Sequence, residues 1–260
     1  MQPAFLIAAL AAAVVITSAP AGANEFDRPP EFTAPDELAA LEGLDAFRAR
    51  SGVPYQDTFR DASSLCDLSD ETISAIVYQR PAAERHARGA SMPEVKVLSG
   101  ACVDGALSGP FRVLILREAE PSEAPVVAVV TEVEGAMENG ALSGLVQSVG
   151  SRYESDNWGA LPAYFSFRHA MFSGGALSGV LLSQDFVPVV EGGFVRRTMT
   201  LRVGSAPGAF VQRRFLGARL DAVVSFVNGV PEGTAQYPSR ETGPKVVCMS
   251  GGQVVKEEAC

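Results

Sequence analysis

The sequence predicts a mainly β protein, built as an antiparallel meander or an array of β-hairpin repeats and preceded by a short α-helical N-terminal region. Three observations predict this fold class. Apolar residues recur with a helical period near the N-terminus and with a period of two from residue 93 onward. Glycine-containing turn sequences separate the strand-like runs. The pentapeptide GALSG occurs three times, each copy starting 35 residues after the last. An ordinary antiparallel β-sandwich with glycine turns is the alternative.

The chain of 260 residues begins with a segment typical of a secretory signal peptide. Residues 4–16 form an apolar run, and Ala21-Gly22-Ala23 matches the pattern that signal peptidases recognise. The run is shorter than the about 20 apolar residues that cross a bilayer. We therefore assign residues 1–23 to a signal peptide and expect a periplasmic or secreted protein with no integral membrane span after cleavage. An N-terminal anchor helix that is never cleaved is the alternative.

The cysteine content fits an oxidising compartment. The chain has four cysteines, an even number that predicts two disulfides with three possible connectivities. The pairing that is local in sequence joins Cys66 to Cys102 and Cys248 to Cys260. No CxxC or HxxxH spacing is present, so the sequence predicts no metal site and no cofactor.

After the signal peptide, residues 24–92 are predicted to form a helical region with a flexible lead-in. Thr33 with Asp36 resembles a capping box, and Gly52 supplies a left-handed stop to this first helix. Its apolar residues repeat every three positions: Leu38, Leu41, Leu44 and Phe47. A second helix is expected to begin at Ser69 and to break before residue 81, which is a proline.

Residues 93–260 are predicted to form the β-hairpin repeat domain. Three of its runs are rich in β-branched and aromatic residues, as strands are: VVAVVTEV at 126–133, FVRRTMTLRV at 194–203 and LDAVVSFV at 220–227.

A G-x-x-x-G pattern separates these strands in five places. Its first glycines are the predicted hairpin turns: Gly105, Gly140, Gly175, Gly204 and Gly229. In four copies the preceding residue is Asp, Asn or Gly, which suits a type I′ turn because both central residues need a positive φ. The copy at Val203-Gly204 is the exception. The second glycine is expected to let a neighbouring backbone or aromatic ring approach closely, because it has no side chain.

This combination of strand, turn and following glycine resembles MORN-type repeats and related bacterial hairpin repeats, as in MENGALSGLVQ and FVNGVPEGTAQY. The resemblance covers about residues 95–240. It departs from the MORN pattern in its longer period and in lacking the Tyr-x-Gly opening and the Gly-x-Gly closing. Proteins with such repeats resemble scaffolds and binding proteins rather than enzymes. The resemblance therefore implies a binding module and no catalytic residue.

The net charge and the absence of catalytic motifs argue against several classes of function. The net charge of −9 argues against general nucleic-acid binding and against attachment to anionic lipid by bulk charge. The chain has two histidines, His86 and His169, and neither a G-x-S-x-G nor an H-E-x-x-H motif. We therefore predict no catalytic residue.

A candidate binding surface combines arginines with aromatic residues. Six arginines and no acidic residue lie between positions 194 and 219, and guanidinium groups bind carboxylate or phosphate well. A tryptophan in a polar loop suits contact with a partner or a sugar ring. The candidate residues are Arg196, Arg197, Arg213, Arg214, Trp158 and Tyr153. The alternatives are solvated or cross-strand-paired arginines and a tryptophan that caps the core.

The leading hypothesis is an exported, non-enzymatic β-repeat protein that acts as a binding or scaffolding module in the cell envelope. Its expected partner is an envelope protein or an acidic glycan. The first alternative is an exported hydrolase or glycan-modifying enzyme with its site in residues 150–172. The second is a secreted toxin, immunity protein or inhibitor.

Overall fold

The computed structural model describes residues 32–77, 93–118, 126–154, 162–189, 194–206, 209–238 and 245–255. The predicted signal peptide, His86, Trp158 and Cys260 lie outside these ranges. Three helices come first: α1 (Pro35–Arg50), α2 (Gln56–Asp61) and α3 (Asp70–Val77). The strands that follow within the described ranges are β1 (Glu94–Val103), β2 (Ala106–Glu118), β3 (Val126–Glu138), β4 (Ala141–Glu154), β5 (Tyr164–Ser173), β6 (Ala176–Pro188), β7 (Phe194–Ala206), β8 (Ala209–Leu216), β9 (Arg219–Val227), β10 (Val230–Tyr237), β11 (Lys245–Ser250) and β12 (Gln253–Val255).

The strands form one antiparallel sheet in which each strand pairs with the next along the chain. The order in space is therefore β1 to β12, with no crossover among the described strands. This confirms the predicted meander with its helical N-terminal region. The β-sandwich alternative is wrong, because the described strands lie in a single sheet rather than in two packed sheets.

Four of the five predicted hairpin turns are confirmed by their backbone angles. Both central residues have positive φ: Asp104-Gly105 (49° and 77°), Asn139-Gly140 (53° and 76°), Gly174-Gly175 (55° and 80°) and Asn228-Gly229 (51° and 79°). The turn predicted at Gly204 is wrong. Gly204 lies inside β7 opposite Phe210, and Ala206 pairs with Ala209, so the chain reverses after β7 has passed Gly204.

The second glycine of each G-x-x-x-G copy at a confirmed turn is required by its backbone conformation. Gly109, Gly144, Gly179 and Gly233 have φ of 68°, 69°, 94° and 80°. A Cβ at any of them would meet nothing within 4 Å, so the predicted close neighbour is wrong. In the β3–β4 hairpin, Ala136 pairs with Ser143 and Glu134 pairs with Gln147. An advance of two residues along β3 therefore matches an advance of four residues along β4. The same shift recurs in the β1–β2, β5–β6 and β9–β10 hairpins, so the glycine marks a repeated bulge.

The helix α1 differs in detail from the sequence prediction. It begins at Pro35 without a side-chain cap, so the Thr33–Asp36 capping box is wrong. Its C-cap residue Ser51 is extended (φ −98°), so a left-handed stop at Gly52 is wrong too. The buried residues are Glu37, Ala40, Leu44 and Phe47. Leu38 is 42% exposed, because a strict spacing of three drifts off the face of a helix with 3.6 residues per turn.

The helices cover opposite sides of the sheet. Leu44 and Phe47 of α1 pack on the side that carries Val149, Phe165, Phe167 and Leu182, here called the α1 face. Ile76 of α3 packs on the side that carries Val113, Val133, Val146 and Phe172, here called the α3 face. Adjacent residues of a strand point to opposite sides, so β4 and β5 contribute buried residues to both cores.

A disulfide ties the segment before α3 to the first strand. It joins Cys66 to Cys102 of β1, with a sequence separation of 36, and confirms one predicted pair. The amide of Ser69 donates a hydrogen bond to the carbonyl of Gly105 at 2.8 Å, beside this bridge. Cys248 is also disulfide-bonded.

Candidate functional site

A groove of about 280 Å³ lies on the α3 face. Four arginines from four strands line it: Arg117 on β2, Arg152 on β4, Arg168 on β5 and Arg202 on β7. We call this cavity the arginine groove. Its other walls come from the end of α3 and from apolar side chains of β2 to β6.

Strand pairing explains why arginines that are distant in sequence meet here. Arg152 stands opposite Val129 of β3 and Tyr164 of β5. Arg168 stands opposite Ser148 of β4 and Ser183 of β6. Since side chains on one face of a sheet alternate with those on the other, residues two positions apart line the same groove.

Small residues separate the arginines and form the floor of the groove. Ser148, Gly150 and Ser166 lie between them on β4 and β5, with Thr131 of β3 alongside. A Cβ at Gly150 would lie 3.2 Å from the hydroxyl oxygen of Thr131, so even an alanine would press on that side chain. The floor therefore offers hydroxyl groups at the base of a ring of long cationic side chains.

Neutral side chains hold two of the guanidinium groups in place. The Nε–H of Arg202 donates to the Oε1 of Gln212 at 2.8 Å, and its guanidinium lies 5.0 Å from the ring centroid of Phe210. The guanidinium of Arg152 lies 4.7 Å from the ring centroid of Tyr164. Such contacts orient a cation without neutralising its charge.

Three of the four groove arginines form no ion pair with a carboxylate of the described residues. Burial lowers the pKa of Arg202 below its usual value, and the positive charge of Arg168 lowers it further. In the described ranges no carboxylate forms an ion pair with Arg152, Arg168 or Arg202. The Asp185 carboxylate lies on this face opposite Ser166, and it accepts a hydrogen bond from the Thr198 hydroxyl at 2.6 Å.

The arginines predicted from the sequence do not form one surface. Arg213 forms an ion pair with Glu37 of α1, whereas Arg214 forms one with Asp221 on the other face. In β7, Arg196 is buried and its neighbour Arg197 is exposed. Neighbouring residues of a strand project to opposite sides, so neither adjacent pair can act as a single patch.

The candidate Tyr153 and the histidine His169 lie away from the groove. Tyr153 is buried on the α1 face, its hydroxyl donating to the carbonyl of Pro54 at 3.2 Å, and burial raises its pKa to about 12. His169 is buried beneath α1, with its Nδ1 3.0 Å from the Nε2 of Gln147. Trp158 lies outside the described residues.

Sequence reasoning missed three of the four groove arginines and counted Arg202 only within a run of six. The signal that locates two of them is a period of two in small and cationic residues. In SVGSR it places Ser148, Gly150 and Arg152 on one face, and in SFR it does the same for Ser166 and Arg168.

The described part of the chain holds no cluster of three or more His, Cys, Asp or Glu side chains arranged to bind a metal ion. None of the helices within it has the length and apolar character needed to cross a bilayer.

Comparison with protein-family models, with curated proteins and with solved structures found no match to the chain. The resemblance to MORN-type repeats therefore stays a prediction.

Proposed function

We propose that the protein is an exported, non-enzymatic binding module that holds an anionic ligand in the arginine groove. One observation carries the proposal: Arg152, Arg168 and Arg202 reach one cavity from three strands, and no described carboxylate pairs with them. The apolar run at residues 4–16 and the disulfide support export. The envelope protein or acidic glycan expected as partner stays a prediction.

Coulomb repulsion supplies the physical reason for an anion. Like charges within one partly buried cavity raise its free energy, because the low local dielectric screens them poorly. A bound anion turns that repulsion into attraction. A guanidinium has five N–H donors in a planar fork that matches carboxylate and phosphate. Arg202 directs its Nε–H to Gln212, which leaves its terminal NH2 groups to face a ligand.

The cavity volume favours a small ligand or the end group of a larger one. About 280 Å³ lies just below the range of roughly 300–1,000 Å³ that is usual for small-molecule sites. Stacking on Tyr164 and the bond to Gln212 preorganise two of the cations, which lowers the entropy that binding must overcome.

Isothermal titration calorimetry with inorganic phosphate at low ionic strength tests the proposal. The wild-type protein is expected to bind, and Arg152→Gln and Arg168→Gln are each expected to weaken binding at least tenfold. A hydrogen bond to a charged group contributes about 1.5–3 kcal/mol, and about 1.4 kcal/mol corresponds to a factor of ten. Added salt should weaken the wild-type affinity.

Arg60→Gln is the matched control. Arg60 is an exposed arginine of α2 that pairs with Asp57, and it does not line the groove. Its substitution removes the same charge and should leave phosphate affinity unchanged. If the wild-type protein binds no phosphate, or if Arg60→Gln weakens binding as much as Arg168→Gln, the proposal is wrong.

A further inference from the structure

The arginine groove has an apolar end as well as a cationic one. The apolar lining includes Ile76 and Val77 of α3, with Val133, Val146, Ala170 and Phe172 of the sheet. Except for Val77, these side chains are more than 90% buried and belong to the core cluster under α3. A purely anionic ligand would leave the exposed parts of Val77 and Leu181 at this end in contact with water.

The apolar wall is held in position before any ligand binds. The Cys66–Cys102 disulfide anchors the segment that leads into α3. The Ser69 hydroxyl accepts a hydrogen bond from the amide of Thr72 at 3.3 Å, which caps the start of α3. Ile76 and Val77, at the other end of this helix, are therefore fixed beside the groove.

The cationic end favours phosphate over carboxylate. Four arginines, among them Arg152, Arg168 and Arg202, line one small space with the hydroxyls of Ser148, Ser166 and Thr131. A carboxylate has two oxygens with which to satisfy these donors, whereas a phosphate monoester has three terminal oxygens and close to two negative charges.

From these two ends we propose that the ligand is a phosphate monoester carrying a short aliphatic group, with the phosphate among the arginines and the aliphatic group against the α3 wall. The inference rests on the proposed function and specifies its ligand. The groove, at about 280 Å³, has the volume of roughly nine water-sized groups of about 30 Å³ each. This accommodates a phosphate group and about four carbons. A free metabolite and the head of an anionic lipid share this chemistry.

A chain-length series tests the inference. Inorganic phosphate, methyl phosphate, butyl phosphate, octyl phosphate and butyrate are titrated into the full mature chain. Each methylene buried against the wall should raise the affinity up to about fourfold, so that butyl phosphate binds up to about sixtyfold more tightly than methyl phosphate. The gain should level off beyond about four carbons. Butyrate should bind more weakly than butyl phosphate.

A variant at the apolar end separates this inference from the proposed function. Val77 and Leu181 are half-buried and line the groove. The double variant Val77→Ser/Leu181→Ser should reduce the butyl-to-methyl affinity ratio below about tenfold and leave the affinity for inorganic phosphate unchanged. Val103→Ser, at a valine of β1 that is 68% exposed, is the matched control and should keep the full ratio. Circular dichroism confirms that each variant is folded.

The outcomes are distinct. If inorganic phosphate binds but methyl and butyl phosphate bind equally, the amphipathic ligand is wrong and anion binding stands. If no phosphate compound binds, both proposals are wrong.

Cosedimentation with phosphatidylcholine vesicles that contain phosphatidic acid distinguishes a lipid head from a free metabolite as the source of the ligand. Cosedimentation that butyl phosphate reverses identifies a lipid head, and binding of butyl phosphate without cosedimentation identifies a free metabolite.

Discussion

The arginines at the contact between α1 and the sheet differ in their partners from the arginines of the groove. On the α1 face, Arg50 forms an ion pair with Glu134 and donates to the Oε1 of Gln147 at 2.8 Å. On the α3 face, Arg152 stacks on Tyr164 and Arg202 donates to Gln212. Arg50, at the end of α1, thus meets a carboxylate of the sheet and stabilises the packing. Arg152 and Arg202 of the groove meet neutral partners and keep their charge available.

Buried glutamines of the sheet form hydrogen bonds with α1. The Nε2 of Gln147 donates to the carbonyl of Gly43 in α1 at 3.1 Å, and the Oε1 of Gln184 accepts from Arg48 at 2.9 Å. Buried polar groups are costly unless they are paired, so these bonds fix where α1 lies on the sheet. The α1 face therefore contributes to stability, whereas the α3 face carries the proposed binding groove.

The largest expected effect comes from the Cys66–Cys102 disulfide, which links the segment before α3 to β1. Replacing Cys66 and Cys102 by serine should lower the free energy of unfolding by about 2–4 kcal/mol, because the bridge closes a long loop with a separation of 36 residues. Urea denaturation measures the change. Wild-type protein treated with a reductant should show at least this loss, because the reductant also opens the disulfide of Cys248. An unchanged midpoint in both would contradict the role given to the bridge.

A smaller loss is expected from Gly43→Ala on the α1 face. A Cβ at Gly43 would lie 2.3 Å from Cε1 of His169, so α1 or the imidazole must move. Overpacking of this kind costs about 1–3 kcal/mol, which urea denaturation resolves. Gly52→Ala is the matched control, since a Cβ there meets nothing within 4 Å. Phosphate affinity should stay the same in both variants, because neither site lines the groove.

The smallest expected effect is a dependence of stability on pH at His169. Burial lowers the pKa of its imidazole, and a hydrogen bond with the Gly43 backbone offsets this only in part. As the pH falls through about 6.5, the unfolded chain takes up a proton that the folded imidazole resists. Stability should therefore decline from pH 7.5 to 5.5.

Urea titrations of the wild type and His169→Gln across this pH range test the assignment. The variant should show a flatter pH dependence than the wild type. Equal pH dependence in the two proteins would mean that His169 does not cause the decline.

Local chemistry made part of the fold predictable. Asp104-Gly105 and Asn139-Gly140 predict turns because both positions need positive φ, and the structure has that conformation at each. The turn predicted at Gly204 is wrong for a related reason. The preceding residue, Val203, is β-branched and does not favour the positive φ that such a turn needs. The role of Gly109 was hidden because a bulge depends on pairing with the partner strand, which one strand's sequence does not specify.

The groove could not be predicted from residues close together in sequence. Arg117 and Arg202 belong to strands that are five apart in the sheet, and their meeting depends on every register in between. Each two-residue bulge keeps the alternation of faces while moving side chains along the strand. The sequence shows a run of arginines around Arg213. Because side chains alternate between the two faces along a strand, the fold divides this run between the faces.

Phosphate affinity and stability, measured together for Arg168→Gln and Arg50→Gln, test the division between the faces most directly. We expect Arg168→Gln to weaken phosphate binding at least tenfold and to change the free energy of unfolding by no more than about 0.5 kcal/mol, since it also removes repulsion with Arg202. We expect Arg50→Gln to cost about 1 kcal/mol of stability and to leave phosphate affinity unchanged. If Arg168→Gln destabilises the protein and leaves phosphate binding intact, the account is contradicted.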